Sequence, residues 1–292
     1  MYRSQLDTPK QSPKDSALNI VLLHGWGTNS GIFKDFLMQL NTMLARGFSS
    51  RDTLSFSVQA IDLPGYGDAF NSSSACSSLS QIAVDTAQRL PKRCLLIGWS
   101  LGGLVAQQIA IHGSNTPAHK KACDSDLLGV VTMCSSPKFL QETSSGSDTL
   151  WPGIKPDVLE AFNQQLTQDH EKLLKRFIAL QSMGQSNAKV HIQQMLQAIK
   201  DRPIANSDTL AFGLQLLKKS DLRAELWQVT CPLLHLYGRL DSLVPHQAIP
   251  LIDECSKHSN SITYPKASHA PFVSHPQAVL DDIFNFINTL DV

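Results

Sequence analysis

The sequence has no excess of either charge: 25 Lys+Arg stand against 25 Asp+Glu in 292 residues, and charged residues make up only 17% of the chain. A nucleic-acid binder needs a cationic excess to displace counterions from phosphates, so that class is excluded. Disorder goes with low hydrophobicity and high net charge; here 42% of residues are hydrophobic, so a folded globular chain is expected. Long apolar runs are also missing. The longest candidates, 20–23 and 94–97, are strand-sized, far below the roughly 18 residues of a membrane span. The opening stretch MYRSQLDTPKQSPKDS is polar and lacks the apolar core of a secretory signal, so a cytoplasmic protein with no membrane association is expected. None of the six cysteines (Cys76, Cys94, Cys123, Cys134, Cys231, Cys255) forms a C-x-x-C pair, which points to buried thiols in a reducing compartment rather than to a disulfide scaffold or a metal site.

What is present is an alternation of short apolar runs with longer amphipathic stretches, the pattern of a parallel sheet covered by helices. Strands are read at 19–23, 55–61, 93–98, 128–134, 232–237 and 261–264, with helices at 101–112 and 278–290. The first two strands run into the glycine-rich turns HGWG and DLPGYG, and the third into GWSLGG. Ligands of open α/β sheets bind at the carboxyl ends of the strands, so the chemistry is expected in those turns. The stretch 139–203 breaks the pattern. It shows no convincing strand, and its helical segments at 157–166, 168–183 and 188–200 read as an inserted cap. The expected organisation is an α/β core over 1–138 and 204–292 carrying a helical cap over 139–203. Residues 113–126 and 72–80 read as surface loops, and no internal repeat is visible.

The motif that carries chemistry is Gly98-Trp99-Ser100-Leu101-Gly102. Five such residues recur by chance, also as a capped helix start. Here they follow a strand (CLLI) and open a helix (LGGLVAQQIA), the context of a nucleophile elbow. The tight turn lifts the hydroxyl out of the sheet, and the helix start offers unpaired N–H groups to a developing anion. A serine hydroxyl needs a base, and the base an orienting acid, in the chain order Ser, Asp/Glu, His. Asp241 follows the apolar run PLLHLY in the turn GRLDSLVP; its rivals Asp221 and Asp253 follow no strand. His269, after the last strand, fits the base, with His275 as the alternative. His258 precedes that strand, His24 is read as ordering its own turn, and His235 as a packed core histidine. The oxyanion donors are expected from the backbone N–H groups of Leu101, directly after the nucleophile, and Trp26, in HGWGTN.

HGWG, DLPGYG, GWSLGG, YGRLDSLVP and SHAPF, in this order, resemble the α/β-hydrolase superfamily over nearly the whole chain. More narrowly, LLHGWG, GWSLGGLVA, SSPKF, WPGIKPDVL, RFIALQSMG and KASHAPFVSHP are similar to the pimeloyl-[acyl-carrier-protein] methyl ester esterase family of biotin synthesis. WPGIKPDVL is the most specific of these, because it lies in the cap, where superfamily members share little. The resemblance implies an α/β-hydrolase fold with a helical cap, a monomer, and no metal or organic cofactor. It implies Ser100 as nucleophile, His269 as base and then acid, Asp241 as its orienter, and Trp26, Trp99 and Phe177 lining the acyl pocket. The implied partner is an acyl carrier protein. Because carriers are acidic, a basic docking face is expected on the cap, from Lys172, Lys175 and Arg176 with Lys189 on the next helix; Lys172 and Arg176 are four residues apart and share a face. The apolar face of the same helix is marked by Leu173, Phe177 and Leu180. The stretches 113–126 and 46–55 are longer than usual for the family, and neither touches a motif.

Other readings stay open at this level. A short-chain carboxylesterase or a thioesterase would use the same triad, since fold and triad do not choose the substrate. Dehalogenases and epoxide hydrolases of this fold place Asp where this chain has Ser100. A non-catalytic binding protein on the scaffold is disfavoured by the presence of all three triad residues.

Overall fold

The computed structural model describes residues 17–48, 55–72, 77–114, 126–145, 148–166 and 169–290. In chain order the elements are β1 (Leu18–Leu23), α1 (Lys34–Gly47), β2 (Phe56–Ile61), α2 (Leu79–Ala87), β3 (Arg93–Trp99), α3 (Leu101–Gly113) and β4 (Asp126–Met133). A hairpin, β5 (Glu142–Thr143) and β6 (Thr149–Trp151), then leads into α4 (Pro156–Leu166), α5 (His170–Gln181), α6 (Ala188–Ala198) and α7 (Ser207–Lys219). The chain closes with β7 (Leu233–Gly238), α8 (Ile249–Glu254), β8 (Ser259–Tyr264), α9 (Pro271–Ser274) and α10 (Pro276–Ile287).

The sheet has six strands in the order β2-β1-β3-β4-β7-β8, all parallel. Continuous apolar runs such as IVLL and CLLI suit strands covered on both faces. Side chains alternate between two clusters: Cys94, Leu96 and Val130 pack with α2, α3, α4, α5 and α7, while Leu95, Ile97 and Val131 pack with α1 and α10. Because every strand points the same way, the turns holding His24, Asp62, Ser100, Cys134, Asp241 and His269 gather at one edge.

The sheet strands begin and end within a few residues of the expected positions. One expectation is corrected. The stretch 139–203 is not free of strand, since Glu142 and Thr143 pair antiparallel with Trp151 and Thr149. Two side-by-side residue pairs are too short for periodicity to register. The cap boundary expected at 203 falls between α6 and α7, and among the described residues no strand of the six-stranded sheet intervenes between β4 and β7. Of the expected loops, Gly113 closes α3 and Asp126 opens β4, while 115–125 and 73–76 lie outside the described residues, as do 49–54 of the long stretch after α1. Cys94 and Cys134 are buried, Cys231 and Cys255 half-buried, and these four form no disulfide; Cys76 and Cys123 lie outside the described residues. Among the described residues no helix is long and apolar enough to cross a membrane.

Glycine is required where α3 leaves the sheet. A Cβ on Gly102 would lie 2.3 Å from the Leu23 carbonyl oxygen, and one on Gly98 would lie 2.4 Å from the Gly102 carbonyl. Neither obstacle is a flexible side chain that could swing aside. Gly102→Ala is therefore expected to destabilise the fold by about 3 kcal/mol, roughly 5–10 °C in Tm by calorimetry; an unchanged Tm would show that strand and helix can separate at no cost.

Candidate active site

Ser100 stands between β3 and α3 with φ +54°, a left-handed conformation that serine rarely adopts. Neighbouring backbone holds it there. Its N–H donates to the Met133 carbonyl at 2.9 Å, and the Ser135 hydroxyl donates to its carbonyl at 2.8 Å. The side chain is thereby turned toward the loop after β8. There His269 Nε2 lies 2.9 Å from Ser100 Oγ, and His269 Nδ1 lies 2.7 Å from Asp241 Oδ2. A carboxylate only accepts, so Nδ1 carries the proton and Nε2 is left to accept from the serine. The second Asp241 oxygen accepts the N–H groups of Leu243 at 2.8 Å and Val244 at 3.1 Å. All three side chains are buried, with residue exposures of 2%, 4% and 0% for Ser100, Asp241 and His269, so water competes little for these bonds.

The imidazole is fixed from two further sides. The Trp99 indole N–H donates to the His269 carbonyl at 2.8 Å, and the His269 N–H donates to the carbonyl of Gln181, at the end of α5, at 3.1 Å. Trp99 itself packs against Phe33 and Phe272, in the cluster opposite Trp26 and Phe177.

On the other flank, the Trp26 ring meets the Phe177 ring edge-on at 4.6 Å, and Phe177 meets Phe162 at 5.7 Å. The Trp26 indole N–H donates to the Leu210 carbonyl at 2.8 Å, and Gly213 leaves the room this needs, since a Cβ there would lie 2.5 Å from the indole. Among the described residues the backbone N–H groups of Trp26 and Leu101 meet no protein acceptor.

The turn bearing Trp26 is braced by a buried charge. Asp62 accepts the N–H of Ser30 at 2.6 Å and of Asp68 at 2.8 Å, and it pairs with Arg202, which also pairs with Asp68. His24 joins the two turns, its Nε2 accepting the Leu63 N–H at 3.0 Å. Burial lowers its pKa, in keeping with a neutral ring that accepts there and donates from Nδ1 to the Gly25 carbonyl. His235 is a core residue whose Nδ1 meets Thr132 Oγ1 at 2.7 Å, and burial pushes its pKa down to about 4.

The rivals occupy other places. Asp221 pairs with Arg223 and Lys138; burial raises its carboxyl, but hydrogen bonds from both partners outweigh this and hold it at about 2. Asp253 bonds Ser261, and His275 stands at the start of α10. Lys172, Lys175, Arg176 and Lys189 are exposed on α5 and α6, and the Arg176 guanidinium donates to Gln165 and lies over the Phe162 ring. A groove of about 610 Å³ runs beside the acid arm, lined by Pro152, Gly153, Ile154 and Lys155 of the WPGIK segment and by Leu180 and Leu243.

Sequence reasoning missed Gln181, Cys134 and Ser135. Both polar atoms of the Gln181 amide are buried with no partner among the described residues. Its signal was a glutamine four residues after Phe177, on a stripe otherwise apolar. Cys134, Asp241 and His269 also place one metal-ligating atom each within 4.8 Å of one another, although the Asp241 and His269 atoms are already committed to each other. Asp62→Ala would strand the donors of Ser30 and Asp68 and free Arg202 from the core. A loss of about 3 kcal/mol in urea unfolding is expected, and unaltered stability would show that the brace carries no load.

Residues 20–282 match the model of the alpha/beta hydrolase family. The pimeloyl-[acyl-carrier protein] methyl ester esterase of Aeromonas hydrophila is 40% identical over 92% of this chain and 95% of its own length, and that of Vibrio atlanticus 35% identical over 92% and 93%. Among solved structures, an esterase from Exiguobacterium antarcticum superposes with a TM-score of 0.74 at 19% identity over 94% of this chain and 92% of that one, a likeness of fold alone.

Proposed function

The chain belongs to the alpha/beta hydrolase family, in the branch of the pimeloyl-[acyl-carrier protein] methyl ester esterases, and from that premise we propose that it hydrolyses the methyl ester of a pimeloyl chain carried on acyl carrier protein, a step of biotin synthesis. The observation that carries the reading is the unbroken, buried relay from Ser100 Oγ through His269 to Asp241. His269 Nε2 takes the serine proton as Oγ attacks the ester carbonyl. Asp241 stabilises the imidazolium through Nδ1–H. The tetrahedral oxyanion is received by the unpaired N–H groups of Trp26 and Leu101, each worth about 3 kcal/mol in such sites. His269 then returns the proton to the departing methoxide, which leaves as methanol. Water, deprotonated by the same nitrogen, cleaves the acyl-serine and frees the carboxylate.

Trp26 and Phe177 form the apolar wall beside the nucleophile. Trp99, expected to line the acyl pocket with them, lies instead in the opposite cluster and holds the His269 carbonyl by its indole N–H, because the side chain points to the other face of the sheet. The cap, over 139–203 with α7 continuing it, covers the site, and Lys172, Arg176 and Lys189 give it a cationic outer face for the acidic carrier. We take the protein to act in the cytoplasm as a monomer, with no metal or organic cofactor in the chemistry.

Ser100→Ala is expected to lower methanol release from the carrier-linked ester by on the order of 10⁵-fold while leaving the Tm near wild type; wild-type turnover in this variant would refute the nucleophile. Reversing the charges at Lys172 and Arg176 together is expected to raise KM for the carrier-linked ester about tenfold and to spare a small free ester. Equal losses on both substrates would remove the docking face. On the same substrate the thioester that joins chain to carrier stays intact; its cleavage would favour a thioesterase.

A further inference from the structure

The residues that follow β4 touch both halves of the catalytic relay. Met133 and Ser135 hold the backbone of Ser100, as described above. Between them Cys134 sits at φ +47°, its N–H donating to the Leu236 carbonyl at 2.7 Å. Such a conformation is strained for a residue with a Cβ, and it persists only where the surroundings enforce it. It turns the side chain toward the loops after β7 and β8. Cys134 Sγ lies 3.6 Å from the carbonyl of Ser268, the residue before His269. It also lies within 4.8 Å of an Asp241 carboxylate oxygen and of a His269 ring nitrogen. Asp241 receives three donors from Leu243, Val244 and His269, and a carboxylate has about four lone-pair sites.

We propose that Cys134 is a positioning residue, whose thiol donates its one proton to the Ser268 carbonyl and so holds the backbone ahead of His269, keeping the acid–base pair aligned on Ser100. The thiol acts as a donor and not as a nucleophile. Burial first, and then the charge of Asp241, raise its pKa well above the ordinary range, so the proton stays on sulfur. The other titratable groups around it are the phenols of Tyr237 on β7 and Tyr264 on β8, both raised by burial and neutral, with Asp282 hydrogen-bonded to Tyr264.

The proposal rests on the triad reading, and the test separates the two. Cys134→Ala and Cys134→Ser shrink the side chain by similar volumes, so both lose packing alike, but only serine keeps a donor. Full-length variants are assayed for kcat and KM on the carrier-linked methyl ester across pH, with the Tm measured alongside. Without the donor, the backbone ahead of His269 is held less firmly, the imidazole sits less well on Asp241, and the imidazolium is less stabilised. Cys134→Ala is therefore expected to lower kcat about fivefold with KM unchanged. The acid limb of kcat/KM should move down by about half a pH unit. Cys134→Ser is expected to recover most of kcat and to return the acid limb to the wild-type position. Alanine and serine variants alike in kcat and acid limb, with equal falls in Tm, would overturn the proposal and leave Cys134 as packing. If the alanine variant does not fold, the serine variant decides, and an acid limb displaced from that of wild type counts against the brace. Retained turnover in Ser100→Ala would instead sink the triad reading itself.

Discussion

A serine at φ +54° is a conformation under load, and the rest of the site depends on that load being carried. The sheet carries it through the end of β4, which takes the Ser100 N–H on Met133 and returns a hydroxyl from Ser135. Glycines at 98 and 102 let α3 start close against the backbone of β1. With the hydroxyl so aimed, the relay needs only one imidazole orientation, and four contacts impose it: Asp241 and Ser100 at the ring, Trp99 and Gln181 at the backbone. The chemistry is thus a property of backbone geometry at one sheet edge before it is a property of three side chains.

The helices after β6 meet the sheet at the turns that gather around Ser100. The turn carrying Trp26 is tied to the segment after α6 through Asn29, whose amide donates to the Ile199 carbonyl, and through Arg202, which reaches Asp62 and Asp68. Trp26 is tied to α7 by its indole, and the loop of His269 to α5 by the Gln181 carbonyl. A movement of α5 to α7 away from Ser100 must therefore strain or break bonds to both the turn of Trp26 and the loop of His269. Access to Ser100, which is only 2% exposed, is coupled through these few bonds to the alignment of His269.

Much of this was legible along the chain, for reasons that differ by element. The strands announced themselves because parallel strands buried on both faces read as unbroken apolar runs. The nucleophile did so because its turn needs small residues at set spacing next to a strand and a helix. Asp241 and His269 followed from strand order, since each lies just past a strand end. The hairpin of β5 and β6 left no trace, because so few residues pair that no period develops. Gln181 and Cys134 look like an ordinary helix residue and an ordinary core thiol, and their importance comes from partners more than a hundred positions away or from the lack of any partner at all.

The chain by itself determined the sheet, the order of its turns and which three residues were expected to meet there, because local geometry and burial on both faces restrict which residues can stand at those positions. Only the tertiary structure decided what those residues face: that Cys134 lies near Asp241 and His269, that Asp62 ties the turn of Trp26 to Arg202 after α6, and that Trp99 supports His269 from the sheet face opposite Trp26 and Phe177. These contacts join segments distant in sequence, and their existence depends on sub-ångström packing that no local pattern encodes.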